Sequence, residues 1–271
     1  MFEFLSLTFM QHALLGGELI AVVAGIVGPI LLFRKMSFTS VGISHGAFAG
    51  IALGILIGVS PMWAAIAFAM GIGLLIGFVS KTGKISEDAT IGTFFAFFMA
   101  LGIFLIDISK GYHVDVMGYL FGNLLAISSS DVYFAAIVLL ITVFWYLFRG
   151  RATVYSTFDE DFSRIVGIPV DVDYYFFMLV VSLVTIIAVM FVGVVLASSI
   201  MIAPSAASKM LSKKFSNVVL FSILFGMVAV FGGIAFSFYT NIPSGPSVVF
   251  FITAIFAISL GIKWSRNFVK S

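Results

Sequence analysis

The chain has 271 residues, 62% hydrophobic and 10% charged, with a net charge of +2 and a mean hydropathy of +1.22. A soluble domain carries about 25% charged residues, so there is too little polar surface here to cover a water-soluble globule, and an integral membrane protein is the class that fits. The absence of cysteine excludes disulfides and thiolate metal sites.

A spanning helix needs roughly 20 apolar residues. Apolar runs of that order fall near 10–33, 42–58, 61–80, 88–107, 131–148, 171–190, 192–208, 216–238 and 246–264, which makes nine candidate crossings. The expected fold is all-α and embedded in the membrane, with residues 1–271 as a single domain. The N-terminus carries Glu3 in place of a basic region, so the first run reads as a retained helix, not a signal peptide. Glu18 lies inside it. An ionisable group at that depth costs roughly 2.5–3.5 kcal/mol and is usually functional. Glu18 is either a carboxyl satisfied by a neighbouring helix or a working group.

The second run, TSVGISHGAFAGIALG over 39–54, carries Gly42, Gly46, Gly50 and Gly54. Residues four apart stack on one face of a helix, and in a membrane a glycine face admits close approach of another helix. His45 sits beside that face. It is either a neutral imidazole bonded to a backbone carbonyl or a ligand, since imidazole suits zinc and similar transition metals.

Residues 114–128, VDVMGYLFGNLLAIS, are apolar but only 15 long. They read as an outer half-helix or re-entrant element, tolerated where protein or a cavity surrounds it.

The longest polar stretch runs over 149–173, with a short helix expected near 156–169. Thr157 and Glu160 have the spacing of a capping box. Asp159, Glu160 and Asp161 suit the first turn by the helix dipole. Phe162, Ile165 and Val166 share one face, and Gly167 and Pro169 stop the helix. Arg164 lies on this segment. It is either a helix resting on the bilayer or a docking helix for a cytoplasmic partner. Between 191 and 214, Pro204 and several serines fall at membrane depth. They describe a kinked packing helix or a pore-lining one, with hydroxyls available for the freed backbone groups.

The positive-inside rule orients the chain. With the N-terminus outside and the crossings alternating, every Lys and Arg except Lys110 falls on the cytoplasmic side, and the C-terminus is cytoplasmic. Neither a P-loop nor H-E-x-x-H is present, so the chain is expected to be no enzyme, and any use of ATP must fall to another subunit.

LLFRKMSF (31–38), SHGAFAGIALG (44–54), SEDATIG (86–92), MGYLFGNLLAISSSD (117–131), DEDFSRIVGIP (159–169), FVGVVLASSIMIAPSAAS (191–208) and PSGPSVV (243–249) carry a resemblance over nearly the whole chain. In that order the chain resembles the membrane permease subunit of zinc/manganese/iron-type ATP-binding-cassette (ABC) importers. The resemblance implies a homodimer in the cell membrane, two cytoplasmic ATPase subunits, and an extracytoplasmic metal-binding protein. It implies ATP-driven movement of zinc or manganese by alternating access. It makes Asp159, Glu160, Phe162, Arg164, Gly167 and Pro169 an ATPase coupling element, and it places Ser44 and His45 on the metal path. No permanent cofactor is implied.

Members often carry an aspartate four residues before that histidine, where this chain has Val41. Glu18 does not make an easy substitute. At about 1.5 Å per residue it stands about 24 Å above the Arg34 level, against about 15 Å for His45, a gap of about 9 Å. Two other readings stay open: a permease for iron-chelate or cobalamin-type substrates, and a stand-alone secondary metal transporter or channel.

Overall fold

The computed structural model describes residues 6–83, 85–109, 120, 122, 124 and 127–268. Its helices are α1 (Thr8–Phe33), α2 (Thr39–Ile57), α3 (Pro61–Gly83), α4 (Glu87–Ile108), α5 (Ser129–Phe158), α6 (Glu160–Ile165), α7 (Val170–Val192), α8 (Ala197–Leu211), α9 (Phe215–Thr240) and α10 (Ser244–Phe268). Among the described residues eight helices, all but α6 and α8, are long and apolar enough to cross a membrane.

These helices are apolar on every face, so polarity does not decide which side is buried. Small residues do. α1, α2 and α7 lie mostly inside, while α4, α5 and α10 turn most of their surface outward. On α1, a Cβ at Gly25 would stand 2.7 Å from the Ile223 backbone, and one at Gly28 would strike the Met201 carbonyl. α8 and α9 therefore pack on α1 at backbone distance, the contact that small residues permit in lipid. Ser205 and Ser222 add a 2.9 Å hydroxyl hydrogen bond between α8 and α9.

The run expected to cross at 192–208 is built differently. α7 continues to Val192 and stops at Gly193, whose φ of 95° and ψ of 159° lie in a region essentially confined to glycine. After this break α8 has 15 residues, about 22 Å of helix, which is short of a hydrocarbon core of about 30 Å. α8 is packed against α1, α9 and α10, so the interrupted backbone is enclosed by protein, the condition for such a break at membrane depth. Ser205 donates to the Met201 carbonyl at 3.0 Å, and Ser208 to that of Ser205 at 2.8 Å.

Most of the half-helix expected over 114–128 lies outside the described residues. Of those described, Leu120 accepts from Val195 N–H at 3.1 Å, and Leu124 N–H donates to Ser244 Oγ at 3.0 Å. Gly122, at φ +67°, lies against the Val192–Gly193 backbone. These three residues cover the α7–α8 break.

One end of the bundle collects basic side chains. Arg34 reaches Thr157 and Ser156, Lys81 pairs with Asp171, Arg149 with Asp173, and Lys209 stands 4.3 Å from the Phe33 ring centre. α5 also runs further than expected, past 148 to Phe158. The polar stretch after 148 thus begins as helix, with Thr153, Ser156 and Thr157 bonding back to main-chain carbonyls of their own helix.

Candidate functional site

The glycine face of α2 meets α3 in antiparallel register. A Cβ at Gly42 would reach Ile76, one at Gly46 Ile72, one at Gly50 Phe68 and the Ala64 carbonyl, and one at Gly54 Ala64 and Pro61. Four glycines in steps of four therefore receive α3 side chains in steps of roughly four, running the opposite way. This fixes the rotation of α2 and holds His45 on a face turned to α4, with its ring 4.3 Å from that of Phe95.

His45 is 7% exposed. Its Nδ1 lies 2.9 Å from the Val41 carbonyl. A carbonyl only accepts, so Nδ1 carries the proton and Nε2 keeps its lone pair. That is how a metal-ligating histidine is normally oriented, with one ring nitrogen on a main-chain oxygen and the other free to bind. It is also the backbone bond of a purely structural histidine. Ser44 Oγ donates to the same carbonyl at 2.9 Å and lies 3.3 Å from Nδ1. The carboxylate missing at 41 is thus not mimicked by a side chain, and the Val41 main-chain oxygen is occupied. Gly42-Ile43-Ser44-His45-Gly46 also has the spelling of a hydrolase nucleophile elbow, G-x-S-x-G. That motif requires a sharp strand-to-helix turn, whereas here Ser44 is in mid-helix and fully buried.

Glu18 is half-buried on α1, and its Oε2 has no partner among the described residues. α1 packs chiefly on α5, α8 and α9, and α2 on α3, α4 and α7. Among the described residues no group of three or more His, Asp and Glu side chains converges. Glu18 and His45 stand on helices that are not packed as a pair.

The short helix expected near 156–169 is α6, with a different cap. Thr157 belongs to α5, where its hydroxyl donates to the Thr153 carbonyl at 2.6 Å and accepts from Arg34. It is not available for a capping box with Glu160. Asp159 caps α6 instead, accepting from Phe162 N–H at 2.9 Å, with Glu160 and Asp161 in the first turn. At the other end Gly167 N–H bonds to the Arg164 carbonyl and Ile168 N–H to that of Ser163, a Schellman close with Gly167 at φ +84°. Pro169 follows and serves as the N-cap residue of α7.

Ser163 is buried and faces the bundle. Phe162 (58% exposed), Ile165 (82%) and Val166 (54%) face away from it. The polar side is an ion-pair network. Arg164 bonds to Glu160 at 2.8 Å and grips Asp171 with both guanidinium nitrogens, at 2.8 and 2.9 Å. Lys81 of α3 takes the same carboxylate. The Asp171 hydrogen bonds, then those of Glu160, hold the Arg164 guanidinium pKa above its ordinary value. Arg149 bonds to the fully buried Asp173 at 2.7 Å. Lys81 and Asp171 were not among the residues singled out from sequence; they lie 90 positions apart.

The family model for the ABC 3 transport family matches residues 6–263. The manganese transport system membrane protein MntC of Listeria monocytogenes is 32% identical over 266 residues, 96% of this chain and 95% of that protein. The protein of the same name from Halalkalibacterium halodurans is 33% identical over 261 residues, covering 95% and 88%. Among solved structures, PsaBC from Streptococcus pneumoniae in complex with Fab superposes with a TM-score of 0.84 at 29% identity, covering 95% of this chain and 94% of that one. A match of this extent, on a bundle with eight membrane-length helices, makes the chain a multi-pass membrane protein belonging to the ABC 3 transport family.

Proposed function

We propose that this chain is the permease subunit of an ATP-driven importer that moves a divalent transition metal, manganese first and zinc second, across the cell membrane by alternating access. The observation that carries the metal is the naming of relatives that match over nearly their whole length as manganese transport membrane proteins. The N-terminus faces outside and the C-terminus the cytoplasm, with the short α8 and the break before it completing a ninth passage down to Lys209 beside Phe33, so that the basic end of the bundle meets the ATPases. Two copies of the single-domain chain form the path, two cytoplasmic ATPase subunits drive it, and an extracytoplasmic metal-binding protein delivers the ion.

The permease itself performs no bond chemistry. His45 offers Nε2 as a transient ligand, with Ser44 alongside its ring. A single imidazole holds a divalent ion weakly, which suits an ion that must leave again. Glu18 stands on a separate helix and acts nearer the outer mouth. Asp159, Glu160, Phe162, Arg164, Gly167 and Pro169 form the coupling element. Its exposed apolar face, Phe162, Ile165 and Val166, supplies the contact with the ATPase, and its ion-paired side ties it to the permease.

The test is reconstitution of the permease in liposomes with its ATPase and binding protein, followed by manganese uptake. Uptake that requires ATP and the ATPase supports the assignment. Uptake of equal rate by the permease alone would refute it in favour of a secondary transporter.

A further inference from the structure

We propose that the cleft between α1, α3, α5, α6 and α7 binds a phosphate group, carried either by an anionic lipid headgroup or by a free phosphate compound. The inference goes beyond metal transport and concerns the basic end of the bundle, not His45. The cleft has a volume of about 670 Å³. Among the described residues four cations line it, Arg34, Lys35, Lys81 and Arg164, against two carboxylates, Glu160 and Asp171, a formal excess of two positive charges. Lys81 and Arg164 share the carboxylates. The contacts that hold Arg34 in place include Thr157 Oγ1 at 2.8 Å, Ser156 Oγ at 2.7 Å and the Thr153 carbonyl at 3.3 Å. A guanidinium held in place over a cationic cleft is suited to phosphate oxygens.

The backbone supplies the second observation. α1 ends in a Schellman close, with Met36 N–H on the Leu31 carbonyl at 2.9 Å and Lys35 N–H on that of Leu32 at 3.4 Å. The residue at its left-handed position is Lys35, at φ +61°. α6 ends in the same motif, and there the position is filled by Gly167 at φ +84°. Glycine takes this conformation freely, whereas an L side chain takes it at a cost. Lys35 is exposed, and among the described residues its ammonium enters none of the ion pairs of the cleft. Strain at an exposed residue that joins none of these ion pairs points to an external ligand.

The purified transporter in detergent is titrated with phosphatidylglycerol, phosphatidylcholine, inorganic phosphate and chloride while its melting temperature is followed. The parent is expected to show a saturable rise with phosphatidylglycerol, with phosphate, or with both, and none with phosphatidylcholine or chloride. The responding arm identifies the source of the phosphate. Lys35→Gly and Lys35→Gln are each expected to weaken that response at least fivefold. Without ligand, Lys35→Gly is expected to melt no lower than the parent, because it relieves the left-handed strain. A parent that responds to neither phosphatidylglycerol nor phosphate, or variants that titrate like it, would overturn the site. A Lys35→Gly protein that melts lower than the parent would overturn the strain argument. Metal uptake is not read in this experiment, so its failure is separate from failure of the transport assignment.

Discussion

The imidazole of His45 and the main-chain oxygen of Val41 are joined, one helical turn apart, by a 2.9 Å hydrogen bond. This bond decides which ring nitrogen faces a ligand, since Nδ1 is committed to donation. His45→Ala removes Nε2 and is expected to lower manganese uptake by the reconstituted transporter at least ~10-fold, the lower end of what loss of a metal-site contact costs. Co-purification with the ATPase should be unchanged, because the α2–α3 packing does not involve His45. Uptake within twofold of the parent would show that the histidine is structural only.

Val41→Asp restores a carboxylate on the same helical face as His45. A carboxylate and an imidazole one turn apart make a firmer divalent site than an imidazole alone. The variant is expected to retain manganese through desalting where the parent does not, and to transport more slowly at saturating metal. Elemental analysis of the desalted protein checks the first outcome, and a manganese content equal to the parent's counts against His45 lying on the path.

The α2–α3 register predicts a stability effect with a specific rescue. A Cβ at Gly46 would strike the end of Ile72. Gly46→Val should destabilise by about 1–3 kcal/mol, the usual range for overpacking. Ile72→Ala in the same chain should recover part of the loss, because it removes the atoms that clash. Thermal unfolding of the single and double variants measures the coupling, and strictly additive losses would mean that the two residues do not meet.

These relationships differ in how far the sequence revealed them. The glycine face was legible because its period of four is itself the geometry of a helix face. The short helix α6 was legible from its acidic first turn and Gly167. Its cap was misplaced because nothing between 149 and 158 stops a helix, so α5 carries Thr157 along and leaves capping to Asp159. The α7–α8 break was placed from sequence at 190–192, but its nature was not legible, because apolarity continues unbroken through 190–195 while the interruption is a backbone torsion at Gly193. Lys81 and Asp171 could not be paired from sequence at all, since what joins them is the packing of α3 on α7.

Phe162 and Ile165 are 58% and 82% exposed, so replacing them costs the permease little by itself; surface changes usually fall within about 0.5 kcal/mol. Phe162→Asp or Ile165→Asp is expected to leave the melting temperature of the isolated permease unchanged and to abolish co-purification of the ATPase. A variant that still co-purifies and transports would remove α6 from the coupling assignment.

Asp171 is shared by Arg164 of α6 and Lys81 of α3, which makes it the polar joint between the coupling helix and the helix that packs on α2. The pairs are largely exposed, so solvent screening leaves them little weight in folding stability. Asp171→Asn keeps the shape but loses the charge that holds both cations, so the permease should fold and bind its ATPase. The motion of α6 should then pass less effectively to α3. The expected result is at least a fivefold fall in manganese moved per ATP hydrolysed, with ATPase binding retained. Lys81→Met should fall in the same direction, and Lys81→Arg, which keeps the charge, should hold near the parent ratio. If transport and ATPase binding decline in the same proportion in Asp171→Asn, the network serves docking alone and not transmission.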